Sequence, residues 1–183
     1  MSRLSDFIST GNQGGGNGIY SFIEKEVKTF RLDSVNDGLS RGSVFGLIES
    51  IDFEPSNVGS AYVSFKMPDG FAEDKDIKIK HIASLNSVDS GKIIVFRTQS
   101  WLVTSGAIPN VATADSDVVS GIPSQDNHMG TLEIIPISET IIPASAINGT
   151  EQFITLKLTR EATDASDTYS GLYQLIAIQI YQE

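Results

Sequence analysis

Cysteine is absent from the 183 residues, which excludes a disulfide framework, a thiolate metal site and a thiol nucleophile. Histidine is almost absent: there are only His81 and His128, and neither stands in a His-x-x-x-His or His-Glu-x-x-His spacing. A hydrolytic triad would have to recruit one of them, and without a nucleophile elbow that signal stays at background. Basic residues are scarce, 13 against 23 acidic ones, giving a formal net charge of -10 and a pI near 4.6. Such a field repels nucleic acid phosphates and anionic lipid, and no run of Lys or Arg overrides it locally. Neither nucleic acid nor membrane is therefore an expected partner. No apolar stretch reaches bilayer length. The start Met1-Ser-Arg-Leu-Ser-Asp6 lacks a basic region leading into an apolar run, so the expectation is a protein made and folded in a cytosol.

Helical periodicity of any length is missing too. What the chain has instead is alternation. In Ile154-Thr-Leu-Lys-Leu-Thr-Arg160 the apolar Ile154, Leu156 and Leu158 fall on one face and Thr155, Lys157 and Thr159 on the other, the period of a strand with one wet side. Leu172 to Tyr181 supplies a second strand, with Ile176, Ile178 and Ile180 on one face and Leu175, Ala177, Gln179 and Tyr181 on the other. A strand this apolar needs neighbours on its edges and a sheet against its inner face, so it is expected to dock centrally.

The same reading extends along the chain. Residues 27–32 alternate, and Asp33 to Gly38 closes on an Asp-Gly turn signal. Ser43 to Ile51 is apolar in both phases and reads as one central strand, with Gly46 permitting a bend. Ala61 to Met67 points Val63, Phe65 and Met67 inward, and Ile77 and Ile79 face away from Lys78 and Lys80. Lys92 to Arg97 is again apolar on both phases, with Leu102 and Val103 beyond and Trp101 available as a large anchor. About twenty-five residues between Ser105 and Gly130 have weak periodicity, and form either a functional surface or a hidden short strand around Val118 and Val119. Thr131 to Ile137 resumes strand character, with Pro136 marking a sheet edge.

Eight or nine short strands joined by Gly, Pro and Asp turns predict an all-β fold, an antiparallel two-sheet sandwich of jelly-roll type, with immunoglobulin-type topology as the alternative. The predicted domain spans residues 19–183. Ahead of it, residues 1–18 read as a flexible arm, because Ser9 to Gly18 is rich in Gly and Asn and has little apolar surface to bury. Leu4, Phe7 and Ile8 are the candidate gripping residues of that arm toward a partner.

Few residues are candidates for chemistry. His81 reads as a packed or edge histidine, and His128 lies in the long loop near Asp126. Asp115 and Asp117 are the best calcium candidates among several acid pairs, but they lack the spaced twelve-residue loop and read equally as solvated loop acids. No cofactor is expected. Exposed aromatics beside amides and acids would suit a glycan; Tyr20, Tyr62, Trp101, Tyr169, Tyr173 and Tyr181 are available, with Trp101 and Tyr169 taken first. In the loop before the last strand, Arg160 is expected to reach a carboxylate at Asp164 or Asp167. Asp167, Thr168 and Tyr169 would shape the turn rather than catalyse.

The terminal stretch Leu156-Lys-Leu-Thr-Arg160, Asp164, Asp167-Thr-Tyr-Ser-Gly171 and Leu175-Ile-Ala-Ile-Gln-Ile-Tyr181 resembles the last two strands of a loose group of tailed-phage virion proteins of jelly-roll type. The resemblance covers about thirty residues. It implies a non-enzymatic structural protein, a capsid decoration or cement protein that contacts capsid or other virion proteins. A homo-oligomer, with a trimer favoured, and a virion assembled in the host cytoplasm also follow from it. The alternative it leaves is a carbohydrate-binding or receptor-binding module of a tail fibre or baseplate, with a surface glycan as ligand.

Overall fold

In the computed structural model, the structure describes residues 22–26, 30–32, 38–67, 71–87, 89–104, 116–124, 133–147 and 151–182. These form eleven strands and a single 3-10 turn at Ala144–Ala146. The strands are β1 (Phe22–Glu26), β2 (Arg31–Leu32), β3 (Leu39–Val44), β4 (Ile48–Phe53), β5 (Gly59–Lys66) and β6 (Ile77–Leu85). They continue with β7 (Ile93–Thr104), β8 (Ser116–Pro123), β9 (Glu133–Ile142), β10 (Glu151–Arg160) and β11 (Tyr173–Gln182). One sheet runs β3-β4-β11-β6-β9, the other β2-β5-β10-β7-β8. Beside β11, β4 takes the first residues and β1 the last ones, both antiparallel.

From β4 to β11 the chain passes from one sheet to the other at every step except between β7 and β8. The resulting orders, 4-11-6-9 and 5-10-7-8, are those of two nested Greek keys, the jelly roll. The fold is thus the predicted all-β sandwich, and the immunoglobulin-type alternative is set aside by strand order. The last strand, β11, docks centrally in the first sheet as expected, and β10 takes the central place in the second. Alternation in β10 works as the sequence implies. Ile154, Leu156 and Leu158 are fully buried between the sheets, each stabilising the fold by about 1.5 to 3 kcal/mol of transfer free energy.

The middle of the sandwich is aromatic. Phe96 of β7 meets Phe53 of β4 edge-on at 5.0 Å, Tyr173 of β11 at 4.7 Å and His81 of β6 at 5.3 Å. One ring of the second sheet therefore engages three of the first, in tilted and edge-to-face geometries that aromatic quadrupoles favour.

Two local expectations change and a third, left open between two alternatives, resolves. Ser43 to Ile51 is not one strand but the hairpin of β3 and β4, closed by Leu47 N–H donating to the Val44 carbonyl at 3.1 Å. Both central residues of that turn have positive φ, Phe45 at 56° and Gly46 at 67°, the left-handed conformation that hairpin turns use to follow the right-handed twist of their strands. Apolar content on both phases disguised the turn, because its first position holds Phe where Asn or Asp is usual. In β11 the alternation slips at a register shift between Leu175 and Ala177. Tyr173 and Leu175 point inward before it and Ile178 and Ile180 after it, while Ile176 turns out to join Val44 and Ala177 in a small separate cluster. Finally, the long segment after Ser105 contains the strand alternative, β8, paired along β7 from Ser116 to Pro123.

Candidate functional site

Two places gather the residues that the sequence singles out. The first is the loop between β10 and β11. Strand β10 stops at Arg160, opposite Phe96 of β7, and the loop takes over its hydrogen bonds. Glu161 N–H donates to the Val95 carbonyl at 2.9 Å, and Thr168 and Tyr169 N–H both donate to the Ile93 carbonyl.

The Arg160 guanidinium is buried beneath this loop with all five N–H donors used. Nε and Nη2 donate to the two oxygens of Asp167 at 3.0 and 2.8 Å. Nη1 donates to the carbonyls of Gly171 at 2.8 Å and Phe53 at 3.2 Å, and Nη2 also to that of Tyr169. The Arg160 and Asp167 side chains are 0% and 1% exposed, so the part of Asp167 that reaches solvent is main chain. A bidentate pair with its remaining protons satisfied is the form in which a buried ion pair is tolerable.

Asp167 also accepts the Val95 N–H at 3.0 Å, and Thr168 Oγ1 accepts that of Ile93 at 3.0 Å. Asp164 stays apart from Arg160. It is exposed and caps its own turn by accepting the Ser166 N–H at 2.7 Å. Gly171 is required here, since a Cβ would collide with Ser87 Oγ and the Tyr169 hydroxyl.

Tyr169 is 2% exposed, with its hydroxyl bonded to Ser87. As a glycan contact it is therefore corrected: the loop folds its ring inward and leaves no face to stack on. Tyr173 is buried too. Leu4, Phe7, Ile8, the Gly-rich tract, Tyr20, Asp115 and His128 lie outside the described residues. The backbone of Asp117 lies in β8 opposite Gln99. Among the described residues no group of three His, Asp or Glu could hold a metal ion.

His81 is buried in the aromatic core, its Nδ1 hydrogen-bonded to the Tyr173 hydroxyl at 2.9 Å and its Nε2 without a partner among the described residues. Desolvation lowers its pKa to about 3, so the ring is neutral at neutral pH. The same burial raises that of Tyr173. The letters Gly38-Leu-Ser-Arg-Gly42 spell Gly-x-Ser-x-Gly, but they run into the edge strand β3 with no helix after it. The strand-to-helix elbow that exposes a nucleophile is not built there.

The second place is the outer face of the β2-β5-β10-β7-β8 sheet. Register gives its rows directly. Arg31, Tyr62, Lys157 and Gln99 stand side by side across β2, β5, β10 and β7. The next row is Ser64, Thr155 and Trp101, and the one beyond is Lys66, Phe153 and Val103.

Trp101 is half-buried, flanked by Leu102 and Ser100 that turn into the core. Phe153, on the diagonal from it, is 46% exposed. Ser64 and Thr155 hydroxyls bond each other at 3.0 Å across the strands. Two strands over from Trp101 and one row along, Tyr62 lies roughly 12 Å away by strand spacing and rise. The Arg31 guanidinium sits 5.0 Å and the Lys157 ammonium 5.8 Å from its ring centroid.

Apart from Trp101 and Tyr62, the residues of this face carry no motif. The available signal was phase: Trp101 shares the wet phase of β7 with Arg97 and Gln99, an odd place for a core anchor.

The molecule is thus a jelly-roll sandwich with a mixed aromatic and polar outer sheet face. No family model and no curated protein matches its sequence. Among solved structures it is similar to the carbohydrate-binding module TmCBM27, described for specific mannan recognition, at 12% identity and a TM-score of 0.41 over 91% of this chain and 99% of that one. TmCBM61, solved with β-1,4-galactotriose, is similar at 8% identity and a TM-score of 0.36, over 90% and 89%. A chain of infectious bursal disease virus Gx strain matches at 12% identity and a TM-score of 0.34, over 90% of this chain and 33% of that one. These likenesses are loose, and the architecture rests on the strand order given above.

Proposed function

We propose that this chain is a non-catalytic glycan-binding module whose binding surface is the outer face of the β2-β5-β10-β7-β8 sheet. The observation that supports it is the placement of Trp101 on that face, with the exposed ring of Phe153 diagonal to it and Thr155, Gln99 and Ser64 around it. A sugar ring offers an apolar C–H face ringed by hydroxyls. An indole for the face, with hydroxyls and an amide for the rim, is the pairing such a ligand needs. Tyr62 lies far enough away to meet a further unit of the same chain rather than the same ring.

The resemblance of residues 156–181 to tailed-phage proteins supports a tail fibre or baseplate of a virion as the setting, with residues 1–18 as a tether and a trimer as the assembly. Capsid decoration is the second reading. It is favoured by the hairpin tip of β3 and β4, where Phe45 is 63% and Leu47 87% exposed, an apolar pair suited to protein contact.

Titration of the full chain against a glycan panel tests the first reading. Trp101→Ala is expected to abolish binding while leaving the thermal midpoint within a degree or two. Binding unchanged in Trp101→Ala would refute the assigned face. Particle binding lost in Phe45→Ser with Leu47→Ser, and no glycan bound, would favour decoration.

A further inference from the structure

The acidic chain turns a basic face toward this surface. Against 23 Asp and Glu and 13 Lys and Arg overall, the strands of the outer face carry Arg31, Lys66, Arg97 and Lys157, brought together by register from four separate strands. Glu161 accepts from Arg97 Nε at 2.6 Å. Arg31 and Lys157 differ from Arg97: among the described residues neither pairs with a carboxylate, and both lie over the Tyr62 ring.

Two cations about one ring repel each other. They stand on either side of β5, roughly 10 Å apart by strand spacing, and the repulsion is relieved when an anion lies between or above them. Lys157 is also the lateral neighbour of Gln99 and one step in phase from Thr155, the cross-strand partner of Trp101. The stacking platform and the positive charge thus belong to one continuous surface.

We infer that the glycan is an acidic polysaccharide, carrying carboxylate or sulfate groups that meet Lys157 and Arg31 while its rings stack at Trp101. This rests on the reading of the face as a glycan surface and adds the ligand's charge to it. A single-stranded nucleic acid would also combine stacking with negative charge. The hydroxyl and amide rim, Thr155, Ser64 and Gln99, fits sugar hydroxyls better, and an oligonucleotide enters the titration as the competing ligand.

Calorimetric titration of the full chain with polygalacturonate, dextran sulfate, neutral mannan, neutral galactan and a single-stranded oligonucleotide tests it, the first two distinguishing carboxylate from sulfate. The expected result is binding to an acidic glycan that weakens as salt rises. Lys157→Gln or Arg31→Gln should reduce it about tenfold or more, as expected for loss of a charge-assisted contact, and Lys157→Arg should retain it. Trp101-dependent binding to neutral glycans that is equal or stronger, and indifferent to salt, would overturn the acidic ligand while keeping the glycan face. Binding to no glycan of either kind would overturn both, and tighter binding to the oligonucleotide would replace the ligand class altogether.

Discussion

Replacing Asp167 with Ala removes both carboxylate bonds to Arg160 and the acceptor of the Val95 N–H in one step. The guanidinium left behind is completely buried and still bonded to the carbonyls of Phe53, Tyr169 and Gly171. It cannot swing into water without orphaning them. Breaking a buried pair from one side costs about 3 to 5 kcal/mol, a large share of the roughly 5 to 15 kcal/mol that holds a domain together. At about 2 to 4 °C per kcal/mol for a chain of this size, the midpoint should fall by roughly 6 to 20 °C.

In many proteins an apolar replacement of both partners restores stability, but here Arg160→Met with Asp167→Ala would strip three buried carbonyls of their donor. The double variant should therefore remain well below the parent, at about 1 to 3 kcal/mol for each orphaned group. Thermal and urea unfolding of the two single variants, the double variant and the exposed-site control Thr163→Ala measure the whole cycle. A midpoint change of less than a degree or two in Asp167→Ala, or a double variant as stable as the parent, would refute the assignment of this loop as a locked structural joint.

Other outcomes follow from single sites. Because His81 is neutral in the fold down to about pH 3 but takes up a proton near 6.5 when unfolded, its contribution is fully present above pH 6.5. It is lost as pH falls toward 3, by up to about 1.4 kcal/mol per pH unit. Urea unfolding of His81→Phe across that window should show a shallower decline than the parent, and parallel curves would count against it. Phe45→Asn should raise stability by about 1 kcal/mol, since Asn tolerates the left-handed conformation at φ 56°. A fall would mean that the exposed ring packs usefully. Gly171→Ala should lower the melting midpoint by several degrees, because the added methyl meets Ser87 and Tyr169 in the packed joint; an unchanged midpoint would show that the loop gives way.

How far the sequence carried the reader depends on the range of each signal. Period-two alternation is local, and it identified β5, β6 and β10 with their inner faces correct, whereas Lys92 to Arg97 of β7, apolar on both phases, was located without a face. Where one residue decided the phase, alternation failed. A single register shift after Leu175 sends Ile176 to the opposite face of its sheet, where it is buried in the second cluster, and a Phe in a position of positive φ hides a hairpin inside an apolar run. The candidate glycan surface was harder still. Arg31, Tyr62, Lys157 and Gln99 are distant in sequence and become one row only through strand order, which alternation does not encode. Sequence inspection therefore found no basic cluster, and the structure assembles one. Arg160 and Asp167 were visible because their spacing of seven places both ends of one loop, whereas the three carbonyls that complete the joint come from tertiary packing.

The central position of β10 and β11 has a consequence for the order in which the protein is made. Without them, the described strands up to residue 147 form the pairs β3–β4, β2–β5, β6–β9 and β7–β8, with β1 left over and no sheet of three, because β11 separates the first pair from the third and β10 the second from the fourth. Two-stranded pieces are marginal in water. Cross-strand contacts such as Ser64 with Thr155 and Asp52 with Gln174 span 91 and 122 positions, so the loops they close are long and slow to form. On the ribosome the growing polypeptide therefore has nothing to fold onto until its last two strands emerge. Both sheets then zip together at once around them. A nascent chain stalled before residue 151 would present the free edges of these pairs and of β1 to chaperones rather than a partial domain.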